Sequence, residues 1–266
     1  MSFSDARKVR GLYRAEVASA RRISPNFVRV TLAGDDLERL PRHGFDHWVR
    51  LFLPHPSGAR TDFSSLPETF GVGGYVKYLR QKSDSRPVVR SYTIRAQRAR
   101  EIDIDFVAHG DEGPAGSWAQ RATAGEPVAL IDQGRGFDLP DDAGFHLLVG
   151  DESALPAVLC ILRDLPADAT GLAIVEVPHI ADAQDVVMPE GVELRWLVRS
   201  NPKTIPGRLA LQELRDFSPP DPETVAAFIV GEQALATGGR RHLVSLGTPK
   251  PQIEFTGFWR VGRAAG

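Results

Sequence analysis

The chain has 266 residues, 42% of them hydrophobic and 25% charged, which excludes a disordered or fibrous protein and is more than one core of ordinary size requires. A formal net charge of -2 argues against a nucleic-acid-binding surface, and the single Cys160 excludes an intrachain disulfide, a four-cysteine zinc site and an iron–sulfur cluster. No stretch approaches the ~18 apolar residues of a membrane span and the first residues carry no apolar h-region, so the cytoplasm is the expected address.

From Tyr13 to Asp132 the apolar pattern is mostly of period two, as in half-buried strands. Val28, Val30 and Leu32 alternate with Arg29 and Thr31. His43 and His47 lie four apart, but Gly44 and the strand pattern that follows argue against a helix, so they are read as solvated histidines rather than a metal pair. Residues 47–53 form the next strand-like run. Residues 54–87, rich in Gly, Ser and Pro, are longer than a connection needs and have the character of a lid or binding element. Within them Gly71-Val72-Gly73-Gly74 lacks the lysine and serine of a phosphate loop and is read as loop flexibility.

Residues 88–96 make a strand that contains Arg90-Ser91-Tyr92-Thr93-Ile94-Arg95. On a strand, Arg90, Tyr92 and Ile94 point one way and Ser91, Thr93 and Arg95 the other. An arginine can fork onto a pyrophosphate, a tyrosine can pack beside an isoalloxazine, and a threonine hydroxyl can bond a flavin edge; the bland alternative is a surface strand with solvated arginines. After the alternating Ile102, Ile104 and Phe106 comes His109-Gly110-Asp111-Glu112-Gly113-Pro114-Ala115-Gly116-Ser117-Trp118-Ala119. Its glycines allow close backbone approach, and a helix beginning around Ala115 would offer amides to a phosphate. Residues 127–132 complete a set of strands sufficient for a small antiparallel barrel.

The texture changes after residues 138–142. Short apolar strands at 146–150, 172–177, 193–198, 226–231 and 253–256 alternate with longer segments, which indicates a parallel α/β sheet. Residues 153–165 place Leu155, Val158, Leu159, Leu162 and Leu165 at helical spacing behind Ser153, a candidate cap. Residues 208–217 and 233–246 are further helical segments, the second interrupted by Gly238-Gly239. The expected architecture is a two-domain chain, with an antiparallel β-barrel over 1–140 and an α/β domain with a parallel sheet over 141–266, boundary near 138–145.

These segments together resemble the siderophore-interacting proteins, a branch of the ferredoxin-reductase-like flavoproteins. The family's R-x-Y-T-[IV]-R element matches residues 90–95, and its H-G-x-x-G-P-A-x-x-W-A element matches 109–119 without a gap. Gly150-Asp151-Glu152-Ser153-Ala154-Leu155-Pro156-Ala157, Gly231-Glu232 with Arg240-Arg241-His242-Leu243, and Gly257-Phe258-Trp259-Arg260 follow in the expected order. Gln233 stands where the family has alanine, and Phe258 where it has tyrosine, which removes a hydroxyl and leaves Trp259 for stacking. The resemblance implies noncovalent FAD in an N-terminal barrel and a C-terminal domain like a nicotinamide-dinucleotide fold. The expected FAD-binding residues are Arg90, Ser91, Tyr92, Thr93, Ile94, Asp105, Val107, His109, Pro114, Ala115, Ser117 and Trp118, with Asp151, Ser153 and Ala154 from the second domain.

The implied activity is reduction of the iron of a ferric siderophore. A flavin accepts a hydride and gives electrons singly, and Fe(II) is held less tightly than Fe(III) by hard anionic oxygens, so no catalytic acid, base or resident metal is expected. Arg50, Arg135 and Arg260, each beside a region expected to approach the cleft between the domains, are the candidate receptors for an anionic siderophore. NAD(P)H or ferredoxin is the expected donor. Asp151 and Glu152 place two carboxylates where a dinucleotide phosphate would sit, which disfavours a tight NAD(P) site; Arg199 either offsets them, holds a 2′-phosphate or is merely exposed. Two other functions stay open: a flavin reductase serving a protein partner, and a non-reducing siderophore-binding module with structural FAD. The chain is read as a monomer.

Overall fold

Period-two alternation in the first half of the chain resolves into antiparallel strands. The computed structural model describes residues 11–56, 61–63, 66, 72–108, 113–138, 140, 143–201 and 203–262. They fall into two units: the first takes in the chain to His43 and His47–Gly134, the second Gly44–Asp46 and the chain from Arg135. In the first unit β1 (Leu12–Ser24), β2 (Phe27–Ala33), β3 (Trp48–Leu53), β4 (Val88–Thr93), β5 (Ala96–Gln97), β6 (Glu101–Val107) and β7 (Pro127–Asp132) form one sheet, in the order β4-β3-β7-β1-β2-β6-β5.

That order puts β4 and β5 at opposite ends of the sheet, although only Ile94 and Arg95 separate them in the chain. The Ile94 amide donates to the His47 carbonyl at 2.8 Å, and the next amide, that of Arg95, donates to the Asp103 carbonyl of β6 at 2.8 Å. One bent segment thus pairs with both ends of the sheet and closes it into a barrel. Val30, Leu32, Val49, Leu51, Ile102, Ile104, Phe106 and Leu130 fill the interior.

Two helices belong to this unit. α1 (Val72–Leu79) lies within the segment expected to be a flexible loop, so that expectation is corrected: Gly73 and Gly74 lower helix propensity by about 1 kcal/mol each but do not forbid a helix whose Tyr78 ring meets Phe52 of β3, centroids 6.0 Å apart. α2 (Pro114–Arg121) begins one residue before the expected start. Gly116 lets it approach β6, since a Cβ there would stand 2.7 Å from the Val107 carbonyl oxygen.

In the second unit β8 (Phe145–Gly150), β9 (Gly171–Val177), β10 (Val192–Val198), β11 (Val225–Glu232) and β12 (Ile253–Trp259) are all parallel, in the order β10-β9-β8-β11-β12. The chain winds outward from β8 to β10, then returns to β11 on the other side. The crevice at the carboxyl ends of β8 and β11 is therefore a topological switch point. α3 (Leu155–Asp164), α4 (Arg208–Asp216) and α5 (Gln233–Leu246) cover the sheet. Ser153 does not cap α3; its hydroxyl turns back to Asp151. Gly238 and Gly239 leave α5 intact because they are contact points: a Cβ would stand 2.9 Å from Leu211 at the first and 2.9 Å from Leu214 at the second, both on α4. No helix among the described residues is long and apolar enough to cross a membrane.

Candidate functional site

The first unit carries a cavity of about 770 Å³ that follows β4. Val88, Val89, Arg90 and Ser91 line it in succession, so it runs along the strand's edge rather than against one face. β4 is an outer strand in the sheet order, because closure is made downstream by the bend at Ile94 and Arg95. Arg50, which pairs with Ser91 across β3 and β4, also lines the cavity, with His55, Tyr78, Arg86 and Pro114 at the start of α2. Arg50, Arg86 and Arg90 bring three guanidinium groups to it, and no carboxylate is among the described residues that line it. Such a donor set, next to a helix N-terminus, fits the pyrophosphate and ribityl chain of a dinucleotide flavin.

Of the expected flavin contacts, Arg90, Ser91 and Pro114 line this cavity. The Arg90 guanidinium donates to the Val89 carbonyl at 2.7 Å, which holds it along the strand. Tyr92 and Ile94 face the barrel core. The Tyr92 ring lies 4.3 Å from that of Phe106, which in turn meets Trp118 edge-on at 5.5 Å, and burial pushes the Tyr92 phenol well above its ordinary range. Trp118 is buried, and its indole donates to Glu126 at 2.9 Å. Ala115 is buried, whereas Thr93, Val107 and Ser117 are half-buried. Asp105 is buried and held by Arg29 through two bonds of 2.6 and 2.8 Å. His109 lies outside the described residues.

In the second unit the switch point is occupied by the chain's own carboxylates. Asp151 is fully buried, and accepts the Ser153 amide (2.9 Å) and hydroxyl (2.6 Å), the Glu232 amide (2.7 Å) and the Trp259 indole N–H (3.2 Å). Gly231, with φ of 125°, makes room for it: a Cβ would stand 2.7 Å from the Asp151 carboxyl carbon. Burial, followed by the neighbouring Glu152 charge, raises the Asp151 carboxyl to about 6. Glu232 caps α5 by accepting the Ala234 amide. The amides that would take a phosphate after β8 and β11 are thus bonded to Asp151 and Glu232. Ala154 is fully buried beside them, and Trp259 is engaged through its N–H.

Arg199 is neither exposed nor open to a 2′-phosphate. Its guanidinium is buried, bonded to Glu152 at 2.6 and 2.7 Å and to Glu176 at 3.0 Å, while Glu176 accepts the Ala210 amide of α4 at 3.0 Å. Burial works against the cation, but the Glu152 bonds keep it above the ordinary arginine range. Arg135 and Arg260 are exposed; the Arg135 guanidinium stands 4.9 Å from the Phe45 ring centroid and 3.4 Å from Asp138. Gln233 packs its amide against Gly257, and Phe258 is exposed.

His43 and His47 are not solvated separately. They sit on the loop before β3 and converge on Asp132 at the end of β7, with Nε2 to carboxylate distances of 3.1 and 2.9 Å; His47 is buried. Four residues of loop achieve what the sequence reading allowed only to a helix. Arg86, His55 and Tyr78, which also line the cavity, belong to no motif in the sequence; the length and composition of the 54–87 segment are the only signal for them.

Residues 16–136 match the siderophore-interacting FAD-binding domain, and residues 143–262 match the siderophore-interacting protein model. The ferric vibriobactin reductase ViuB of Vibrio cholerae is 33% identical over 245 residues, covering 91% of this chain and 86% of that protein. An NADPH-dependent ferric-chelate reductase of Escherichia coli is 30% identical over 202 residues, 74% of this chain and 75% of that one. The crystal structure of the siderophore-interacting protein SipS from Aeromonas hydrophila superposes with a TM-score of 0.77 at 30% identity, covering 96% and 94% of the two chains.

Proposed function

Because the chain belongs to the siderophore-interacting protein family, we propose that it is an FAD-dependent reductase that turns a ferric siderophore into one carrying Fe(II), so that the iron is released. The observation that carries this reading is the cation-lined cavity along β4 in a domain matched as FAD-binding. Bound FAD supplies the exchange between a two-electron donor and a one-electron acceptor. The chain's own residues then have three tasks. Arg90 and Arg86 neutralise the pyrophosphate, the first amides of α2 add donors without adding charge, and the Tyr92, Phe106 and Trp118 rings give β4 a rigid backing.

Arg50, Arg135 and Arg260 are the proposed receptors of the siderophore, whose hard oxygen donors make the ferric complex anionic. Replacing Arg135 and Arg260 by glutamine raises the Michaelis constant for the ferric siderophore at least tenfold and leaves FAD content intact, whereas Arg50→Gln, in the wall of the β4 cavity, lowers FAD content as well. An unchanged constant would remove them from the substrate site.

For the electron source, the proposed donors are NAD(P)H and ferredoxin. The NADPH-dependent relative supports the first; the capping of the switch point by Asp151 and Glu232 supports a donor that needs no phosphate seat there. Anaerobic reduction of the bound flavin by NADPH, NADH or a reduced ferredoxin, each at equal concentration, ranks them. On the capped geometry ferredoxin reduces it fastest.

A further inference from the structure

His43, His47 and Asp132 make a group that the reductase chemistry does not use. One ligand atom from each, a ring nitrogen of either histidine and a carboxylate oxygen, lies within 4.8 Å of the other two, and among the described residues they are the one group of three such side chains. The frame beneath them is fixed. The His47 carbonyl accepts the Ile94 amide at the barrel-closing bend, Asp132 pairs with Val49, and the Gly134 amide donates to Asp132 Oδ1 at 2.8 Å. His47 is buried, while the side chains of His43 and Asp132 keep 26% and 18% of their surface, so the group is anchored on one side and open on the other.

We propose that this group is a binding site for Fe(II), the ion that the proposed reductase activity releases, and the inference rests on that reading for its choice of ion. Two imidazoles and one carboxylate with further positions open to water are the ligand set that non-haem Fe(II) takes, and imidazole suits the ferrous ion better than the hard ferric one. His43 Nε2 meets Asp132 Oδ2 at 3.1 Å and His47 Nε2 meets Oδ1 at 2.9 Å, so each imidazole already stands about one ligand–ligand edge, ~3 Å for bonds of about 2.1 Å, from one oxygen of the carboxylate. In the ion-free group each Nε2–H donates to Asp132. On binding, the Nε2 lone pairs face the ion and the ring protons sit on Nδ1. The ionised Asp132 leaves the site with one negative charge for a dication. With only three protein ligands the ion exchanges readily, as a product in transit must.

The test is anaerobic equilibrium dialysis of the oxidised, FAD-loaded full chain against ferrous ammonium sulfate, with no siderophore and no reductant. The expected result is one Fe(II) per chain, with affinity at least tenfold weaker in His43→Ala and in Asp132→Asn. Flavin content and circular dichroism report folding; if Asp132→Asn does not fold, His43→Ala, on a partly exposed loop residue, decides alone. Absence of saturable binding, or equal binding by wild type and a folded His43→Ala, overturns the proposal. Because no turnover is measured, failure here leaves the reductase reading standing, and loss of reductase activity leaves this binding unchanged.

Discussion

At the scale of single residues, Arg90 and Asp151 show how an ionisable side chain is kept open to a ligand in one unit and bonded to the chain's own groups in the other. Arg90 lines a cavity with no carboxylate among its described lining residues, and its fork suits a bidentate anion. Arg90→Ala is expected to weaken FAD at least tenfold, read from the fraction of flavin retained through gel filtration, and Arg90→Lys to restore only part of it, since a point charge cannot bridge two phosphate oxygens. Full flavin retention in both would detach Arg90 from the cofactor. Asp151 is a buried acceptor whose carboxyl titrates near 6, above its unfolded value near 4. The folded state therefore binds the proton more tightly. The stabilisation this gives is fully present below about pH 4 and is lost as pH rises through 6, by about 3 kcal/mol. Urea unfolding of wild type and Asp151→Asn at a series of pH values checks this: the difference between them should shift against the wild type across that window and then level off. The identity of both residues was legible in the sequence through their motifs. Their environments were not, because whether a carboxylate meets a ligand or the neighbouring amides depends on Gly231 and Glu232, some 80 positions away in the chain.

At the scale of elements, periodicity was a sound guide to strands and a poor one to how the barrel closes. The strand alternation is visible in Val28, Val30 and Leu32 and in Ile102, Ile104 and Phe106, but the bend at Ile94 and Arg95 leaves no mark in a period-two pattern. Because closure is made there, β4 pairs with β3 along its whole length and leaves its other edge along the cavity. Glycine content misled at α1, and at α5 Gly238-Gly239 marked close packing on α4 rather than an interruption. Electrostatics ties elements as well. The Glu152, Arg199 and Glu176 cluster joins the ends of β8, β9 and β10 to α4 through the Ala210 amide. Arg199→Ala leaves two buried carboxylates without their cation and is expected to cost about 3–5 kcal/mol, seen as a large fall in the urea midpoint, whereas Arg195→Ala, at an exposed ion pair, should leave the midpoint nearly unchanged. Similar losses in the two variants would contradict the buried-cluster account.

At the scale of the whole molecule, the chain combines a barrel built to hold an anionic cofactor with a doubly wound unit whose phosphate-accepting amides are bonded to its own side chains. The two-domain plan was legible because the hydrophobic period changes after residue 138, and the family because its motifs occur in order along the chain. The cation set along β4 was only half legible, since Arg86 and His55 come from a segment without periodicity. So was the His43, His47 and Asp132 group, whose members lie 85 and 89 positions apart across the sheet. The central claim, that flavin electrons reach siderophore-bound iron directly, is tested by mixing the photoreduced protein anaerobically with a ferric siderophore and a ferrous chelator. The account predicts reoxidation of the flavin together with formation of the ferrous complex, at two irons per flavin. Binding of the ferric siderophore with the flavin remaining reduced, or reoxidation only when a protein acceptor is added, would contradict it.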